Sequence, residues 1–274
     1  MNQPHTVETL MNYSDAGETP IGYWFYEPDP ADRIELRPAG QDRHVVRVED
    51  AWPIVDSVSV DAEGFELHGI DDGFRDFENE ASVERDFYPV AVDFVKRHTG
   101  ANRVVVFDHT LRRRRSSDIR TQTTTERSIP FAVHSDFTPN SGPQRVRDIM
   151  GDEAEALLDR RVAFFNVWKP LYDTVEELPL GVCDARSVAP EEMLIMHLKY
   201  ADRDGEIYTM SHAPGHRWYY FPKMRTDQAL LLKTYDSATD GRSRFNVHSA
   251  FADPDTPPDA KPRQSIEVRT MAFF

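Results

Sequence analysis

A mainly β fold with flanking helices, a sandwich or jelly roll, is what three observations on this chain predict. From Ser128 onward, eight or so short apolar segments recur at roughly even spacing with Gly and Pro between them. One stretch alone, Ser82 to His98, carries a long helical period before that point. Hydrophobic residues make up 39% of the 274 and aromatics 11%, enough for a sizeable core, so global disorder is excluded.

The elements follow in order. Tyr23-Trp24-Phe25-Tyr26 and the alternating Val45-Val46-Arg47-Val48 read as strands. Ser57 to Val60 and Phe65 to His68 alternate as well, and are expected to pair as a hairpin across Asp61-Ala62-Glu63-Gly64. In the helix, Phe87, Val90, Ala91, Phe94 and Val95 share a face. Lys96, Arg97 and His98 followed by Gly100 close it, and Pro89 marks its start or a kink. Arg103 to Phe107 is a buried strand, and residues 116–128 form a polar, Thr-rich loop. Ile129 to Phe137 opens the even series, and Ser141-Gly142-Pro143 starts a helix through Arg160. Strands are then expected at Arg161 to Leu171, Leu180 to Cys183, Met193 to Tyr200, Glu206 to His212, Trp218 to Phe221, Ala229 to Tyr235, Phe245 to Phe251 and Ser265 to Phe274. The organisation expected is one domain over 1–274, with 1–127 packed as strands and helix on a jelly-roll core at 128–274.

Composition removes several function classes. A net charge of −15 argues against sequence-independent nucleic-acid binding, which needs a basic footprint. Cys183 is the one cysteine, so no internal disulfide can form and a reducing compartment fits. The first residues, Met1-Asn2-Gln3-Pro4-His5, lack a signal-peptide pattern, and no run approaches the ~18 apolar residues of a membrane span. The expectation is a cytoplasmic protein with a small-molecule partner, without nucleic acid or membrane, and with its oligomeric state unread.

The chemistry lies in two segments. Val133-His134-Ser135-Asp136-Phe137 contains a His-x-Asp pair, whose alternation along a strand lets both side chains reach one ion. Val247-His248 supplies a second imidazole, and Arg263-Gln264-Ser265 begins fifteen residues after it. Two His and one carboxylate form the facial triad of non-haem Fe(II), which leaves coordination positions open. His197, His212 and His216 compete with His248 for the third place among ten histidines. Arg263 and Ser265 fit the far carboxylate of 2-oxoglutarate, the guanidinium through two parallel charge-assisted bonds. Arg269, on the same face by parity, is the rival anchor.

Other residues carry weaker signals. Asn166 sits between Phe164 and Trp168 and either contacts co-substrate or substrate, or bonds to a neighbouring strand. Trp168, Trp218 and Tyr219 are candidate pocket walls; Lys169, His216, Arg217 and Lys233 are candidate substrate contacts. Asp108 and His109 suggest a buried pair, and Arg112 to Arg115 a salt-bridged face or entrance feature.

Several motifs resemble one family. They are Phe107-Asp108-His109-Thr110, Val133 to Asp136 with Arg145-Val146-Arg147 after it, Phe165 to Leu171, and Cys183 to Ser187. They continue through His216 to Tyr220, Lys233 to Ser237, His248 to Phe251, Pro257-Pro258 and Arg263 to Arg269. From about Tyr13 the chain resembles the hydroxylase/desaturase family of fungal and bacterial secondary metabolism. That family includes gibberellin-desaturase-like enzymes and the partner subunit of cephamycin methoxylation. The resemblance implies a double-stranded β-helix (jelly-roll) oxygenase using Fe(II), 2-oxoglutarate and dioxygen. It carries over His134, Asp136 and His248 as metal-binding catalytic residues and Arg263 as co-substrate anchor. The expected activity is hydroxylation or desaturation of a small molecule. A non-catalytic partner subunit and a cupin-like hydrolase are the alternatives.

Overall fold

The computed structural model describes residues 5–70, 73–113, 126–127 and 130–274, with backbone alone at 126–127. The strands are β1 (Thr6–Tyr13), β2 (Ile21–Trp24), β3 (Asp42–Asp50), β4 (Phe65–Gly69), β5 (Arg103–Arg113), β6 (Glu126–Arg127), β7 (His134–Ser135) and β8 (Val162–Pro170). They continue as β9 (Leu180–Cys183), β10 (Met193–Lys199), β11 (Asp204–Met210), β12 (Trp218–Tyr220), β13 (Gln228–Asp236), β14 (His248–Ala250) and β15 (Gln264–Phe273). The helices are α1 (Glu80–Ser82), α2 (Tyr88–Thr99), α3 (Ser141–Met150) and α4 (Ala154–Leu158).

Two sheets make the jelly roll. One has the order β1-β3-β12-β9-β14-β7-β11-β10-β2, the other β4-β13-β8-β15-β5-β6. Strands from the first 127 residues therefore enter both sheets. β8, β13 and β15 are buried almost throughout, because both faces of the six-stranded sheet are covered. Outward, Phe165 and Val167 of β8 pack on Phe87, Ala91, Phe94 and Val95. Inward, Trp168, Leu230 and Leu232 meet Leu180 and Val182 of the facing sheet. Each such side chain contributes roughly 1.5–3 kcal/mol when fully buried.

The helix before β5 is built in pieces. Asn79 caps α1 through Ser82 N–H, a π-turn spans Val83–Phe87, and Pro89 sits in the first turn of α2. Gly100, at φ 72°, ends α2 in the left-handed conformation and donates to Lys96 O.

Three expectations change. Ser57 to Val60 forms no strand with Phe65 to His68; β4 pairs with β13 instead. The Ser59 carbonyl accepts from Ala62, Glu63 and Gly64 N–H, and the Glu63 and Glu66 carboxylates take Ser59 and Val60 N–H, so side chains satisfy this backbone as turns. The strand expected over Ile129 to Phe137 is only His134–Ser135. The helix expected to reach Arg160 breaks at Gly151, φ 53°, into α3 and α4. Arg114, Arg115 and nearly all of the 116–128 loop lie outside the described residues.

A candidate metal centre and co-substrate crevice

Sheet register brings the two distant histidines together. β7 and β14 are antiparallel neighbours, with His134 directly opposite His248. Opposite residues project to one face, and the two ring centroids are 4.6 Å apart. Asp136, two residues on, returns to that face and places Oδ1 3.8 Å from His134 Nε2. One ligand atom from each of the three lies within 4.8 Å of the others, and no second such group exists among the described residues.

The protonation states suit a cation. Burial, with His248 beside it, pulls His134 down to about 4, so its ring is neutral at pH 7. Its Nδ1–H donates to the Ala132 carbonyl at 2.8 Å, which leaves Nε2 as a lone-pair donor. His248 Nδ1 is buried without a hydrogen-bond partner. Burial works to raise the Asp136 carboxyl, but Arg269, His248 and His134 outweigh it and hold it well below the usual range. A neutral His134, a His248 with an orphaned Nδ1 and an ionised Asp136 fit a divalent metal.

A buried polar ladder on β15 backs this group. Arg269 donates to Asp136 at 3.3 Å, Asp108 at 2.8 Å, Glu267 at 2.8 Å and Thr110 at 3.0 Å. Asn166 Nδ2 donates to Asp136 at 2.5 Å and Glu267 at 2.9 Å. Its amide donors are thus spent on holding the carboxylates. Glu267, Asp108 and Arg112 were not singled out as site residues from sequence. The signal was the run of polar residues at alternate positions, Arg263, Ser265, Glu267 and Arg269, in an otherwise apolar strand.

Arg263 and Ser265 lie further along the same face. Arg263 is 3% exposed, donates to the Leu178 carbonyl and lies 5.5 Å from the Trp168 ring centroid. Its Nε and the Ser265 Oγ are buried without partners. Burial and the neighbouring Arg112 pull the Arg263 guanidinium down to about 9. A crevice bordered by Arg263, Trp168, Leu180, Glu267, His134 and His248 joins this cation to the triad, with a volume of about 10 Å³. That is room for one water. Arg112 borders both this crevice and a larger cavity of about 590 Å³ that opens above His134 and Asp136.

The other expected contacts lie elsewhere. Lys169 faces away from Asn166 and Trp168, between the rings of Phe77 and Phe87, because adjacent strand residues alternate. His216 bonds to Glu192 at 2.9 Å and stacks on Tyr13. Arg217 pairs with Asp184, and Trp218 donates to Tyr13 Oη at 2.7 Å. Tyr219, beside them on β12, lines neither the cavity nor the crevice. Lys233 is buried against Asp61 and Asp236. Asp108 and His109 point to opposite sides, to Arg269 and to Tyr88 Oη respectively, so they form no pair. Arg112 turns inward to Glu267 and Arg113 outward to Glu78.

A jelly roll that gathers two imidazoles and a carboxylate beside a buried arginine belongs to the class of mononuclear iron oxygenases that use a 2-oxo acid. Comparison with known proteins narrows the class. A family model described as "Oxidoreductase/YMDC permease-like domain" matches residues 11–273. The Fe(II)/2-oxoglutarate-dependent dioxygenase nvfI of Aspergillus novofumigatus is 34% identical over 97% of this chain and 95% of its own length. The hydroxylase/desaturase efuI of Hormonema carpetanum is 30% identical, covering 79% of each. A solved structure, the iron and alpha-ketoglutarate-dependent endoperoxidase NvfI, superposes with a TM-score of 0.85 at 29% identity, covering 98% of each chain. The chain belongs to this family, the Fe(II)/2-oxoglutarate-dependent dioxygenases, and its co-substrates are 2-oxoglutarate and dioxygen. No described helix is long and apolar enough to cross a membrane.

Proposed function

We propose that this enzyme hydroxylates or desaturates a small organic molecule of secondary metabolism, acting as one unit over its whole length. His134, Asp136 and His248 hold Fe(II), and Arg263 with Ser265 grips the far carboxylate of 2-oxoglutarate. The observation that carries this reading is the His134–His248 register pair with Asp136 beside it. Bound iron supplies the activation of dioxygen coupled to conversion of 2-oxoglutarate into succinate and carbon dioxide.

The protein's own part is placement. Asn166 and Arg269 fix the Asp136 carboxylate, and Ala132 fixes the His134 tautomer. Arg263 offers a charge and an unpartnered Nε; Ser265 offers a hydroxyl. Of the residues first considered for substrate, Trp168 borders the crevice and pairs with Arg263. The large cavity over the triad takes the substrate, with Phe131, Phe107 and Phe137 among its walls.

The test is succinate formation from 2-oxoglutarate with Fe(II) over a panel of small metabolites. Stimulation by a panel member, abolished in His134→Ala, supports the reading. Absence of succinate with every metabolite favours a non-catalytic partner subunit.

A further inference from the structure

The chain carries −15 net charge, yet five arginines and only two aspartates line the large cavity. Both aspartates are already committed: Asp136 to the triad and Arg269, Asp108 to Arg269. Arg112 and Arg269 are tied to Glu267, and Arg203 lies over the Tyr200 ring next to Asp202. Arg43 is exposed to solvent.

Arg145 differs from all of these. It is half-buried, lies 5.0 Å from the Phe107 ring centroid, and has no hydrogen bond or ion pair among the described residues. The carboxylates whose field reaches it are engaged: Asp108 by Arg269, and Asp148 by the Gln144 amide. A half-buried guanidinium whose donors find no acceptor among the described residues is a poor structural element. It suits a ligand anion.

Its position is fixed by the segment that carries the metal group. Thr138 N–H donates to Ser141 Oγ and Ser141 N–H to Thr138 Oγ1, which ties the turn after Asp136 to the start of α3. Gly142 lets α3 sit against Tyr235, where a Cβ would lie 2.8 Å from the ring. Val146, fully buried, locks the next turn, and Arg145 is left facing the cavity. A second depression, of about 530 Å³, adjoins the first at Arg145 and Arg203. Along the cavity wall Phe25 stacks on Tyr200 at 4.7 Å, with Phe25 57% and Phe131 40% exposed.

We propose that Arg145 is a specificity-determining residue and that the substrate is a small organic anion, a carboxylate on an apolar, largely flat body. The carboxylate pairs with Arg145, the body lies against Phe25, Tyr200 and Phe131, and the far end reaches the triad. This rests on the functional reading above.

Two matched probes separate charge from shape: 8-anilinonaphthalene-1-sulfonate and its uncharged counterpart N-phenyl-1-naphthylamine. Both are titrated by fluorescence into the metal-loaded protein with 2-oxoglutarate under nitrogen. The anion should bind the unaltered protein more tightly than the neutral probe. Arg145→Gln should weaken the anion at least tenfold and the neutral probe less than twofold, with partial recovery in Arg145→Lys. Arg43→Gln, at an exposed position of the same cavity, should change neither by more than about twofold. Equal effects of Arg145→Gln on both probes, or none on either, overturn the proposal. So does a stronger effect at Arg43. The visible band of the Fe(II)–2-oxoglutarate protein is recorded on the same samples. Its absence would count against the iron and co-substrate assignment, while the probe ratio still decides Arg145.

Discussion

Arg269 Nε lies 3.3 Å from Asp136 Oδ2, while the guanidinium of Arg263, six residues earlier on the same strand face, donates to the Leu178 carbonyl and forms no ion pair among the described residues. Two arginines of equal parity therefore have different work. Arg269 holds a protein carboxylate; Arg263 is the one proposed to take a carboxylate that arrives.

Substitution should separate them. Arg263→Ala should raise the 2-oxoglutarate KM by roughly 2–5 kcal/mol equivalent and leave iron affinity nearly unchanged. Arg263→Lys should recover part, since an ammonium cannot reproduce the fork. Ser265→Ala should cost about 1 kcal/mol. Steady-state kinetics over co-substrate concentration checks all three.

Arg269→Ala should act on stability and metal together. It strips a shared counter-charge from Asp136, Asp108 and Glu267, a loss on the order of 3–5 kcal/mol for buried pairs. Urea unfolding should show that loss, and iron titration a weaker site. A variant with native stability and a selective rise in 2-oxoglutarate KM would make Arg269 the anchor instead.

Metal content should follow the triad. His134→Ala, Asp136→Ala and His248→Ala should lose stoichiometric Fe(II). His212→Ala and His216→Ala should keep it, because both rings pack on Tyr13, His212 edge-on and His216 stacked, and His216 bonds to Glu192. Iron loss in His216→Ala with retention in His248→Ala would move the third ligand.

Acid should weaken the metal-free protein early. With His134 lowered from 6.5 to about 4 on folding, the unfolded chain takes up the proton first as pH falls. That stability is present above pH 6.5 and lost toward pH 4, roughly 3 kcal/mol by the usual conversion. Asp136, also lowered, extends the loss below its unfolded value. Urea unfolding from pH 7 to 4.5 should show a shallower decline in His134→Gln than in the unaltered protein; identical slopes would contradict the assignment.

Much of this site was legible because strand alternation is local. The stretch from Val162 to Phe273 shows its strands as apolar runs between turns, and His134 with Asp136 declares a shared face. The same alternation that groups Asn166 with Trp168 puts Lys169 on the other side, so that misplacement was avoidable. Register was not legible. Nothing local says that His248 lies opposite His134, or that Asp108, Thr110 and Glu267 surround Arg269. Parity alone cannot rank Arg263 against Arg269, because the difference lies in acidic partners brought in by β5 and by the turn after β7. Ser57 to Val60 alternates like a strand, but Glu63 and Glu66 capture its N–H groups first.

The central claim is that His134, Asp136 and His248 hold iron within reach of a 2-oxo acid gripped by Arg263. Anaerobic addition of 2-oxoglutarate to the Fe(II) protein tests it most directly, because chelation by the 2-oxo acid produces a weak visible charge-transfer band. The account predicts that band in the unaltered protein, its loss in His248→Ala, and its retention in Arg263→Ala only at far higher 2-oxoglutarate. No band at saturating 2-oxoglutarate in the unaltered protein, or an undiminished band in His248→Ala, would contradict it.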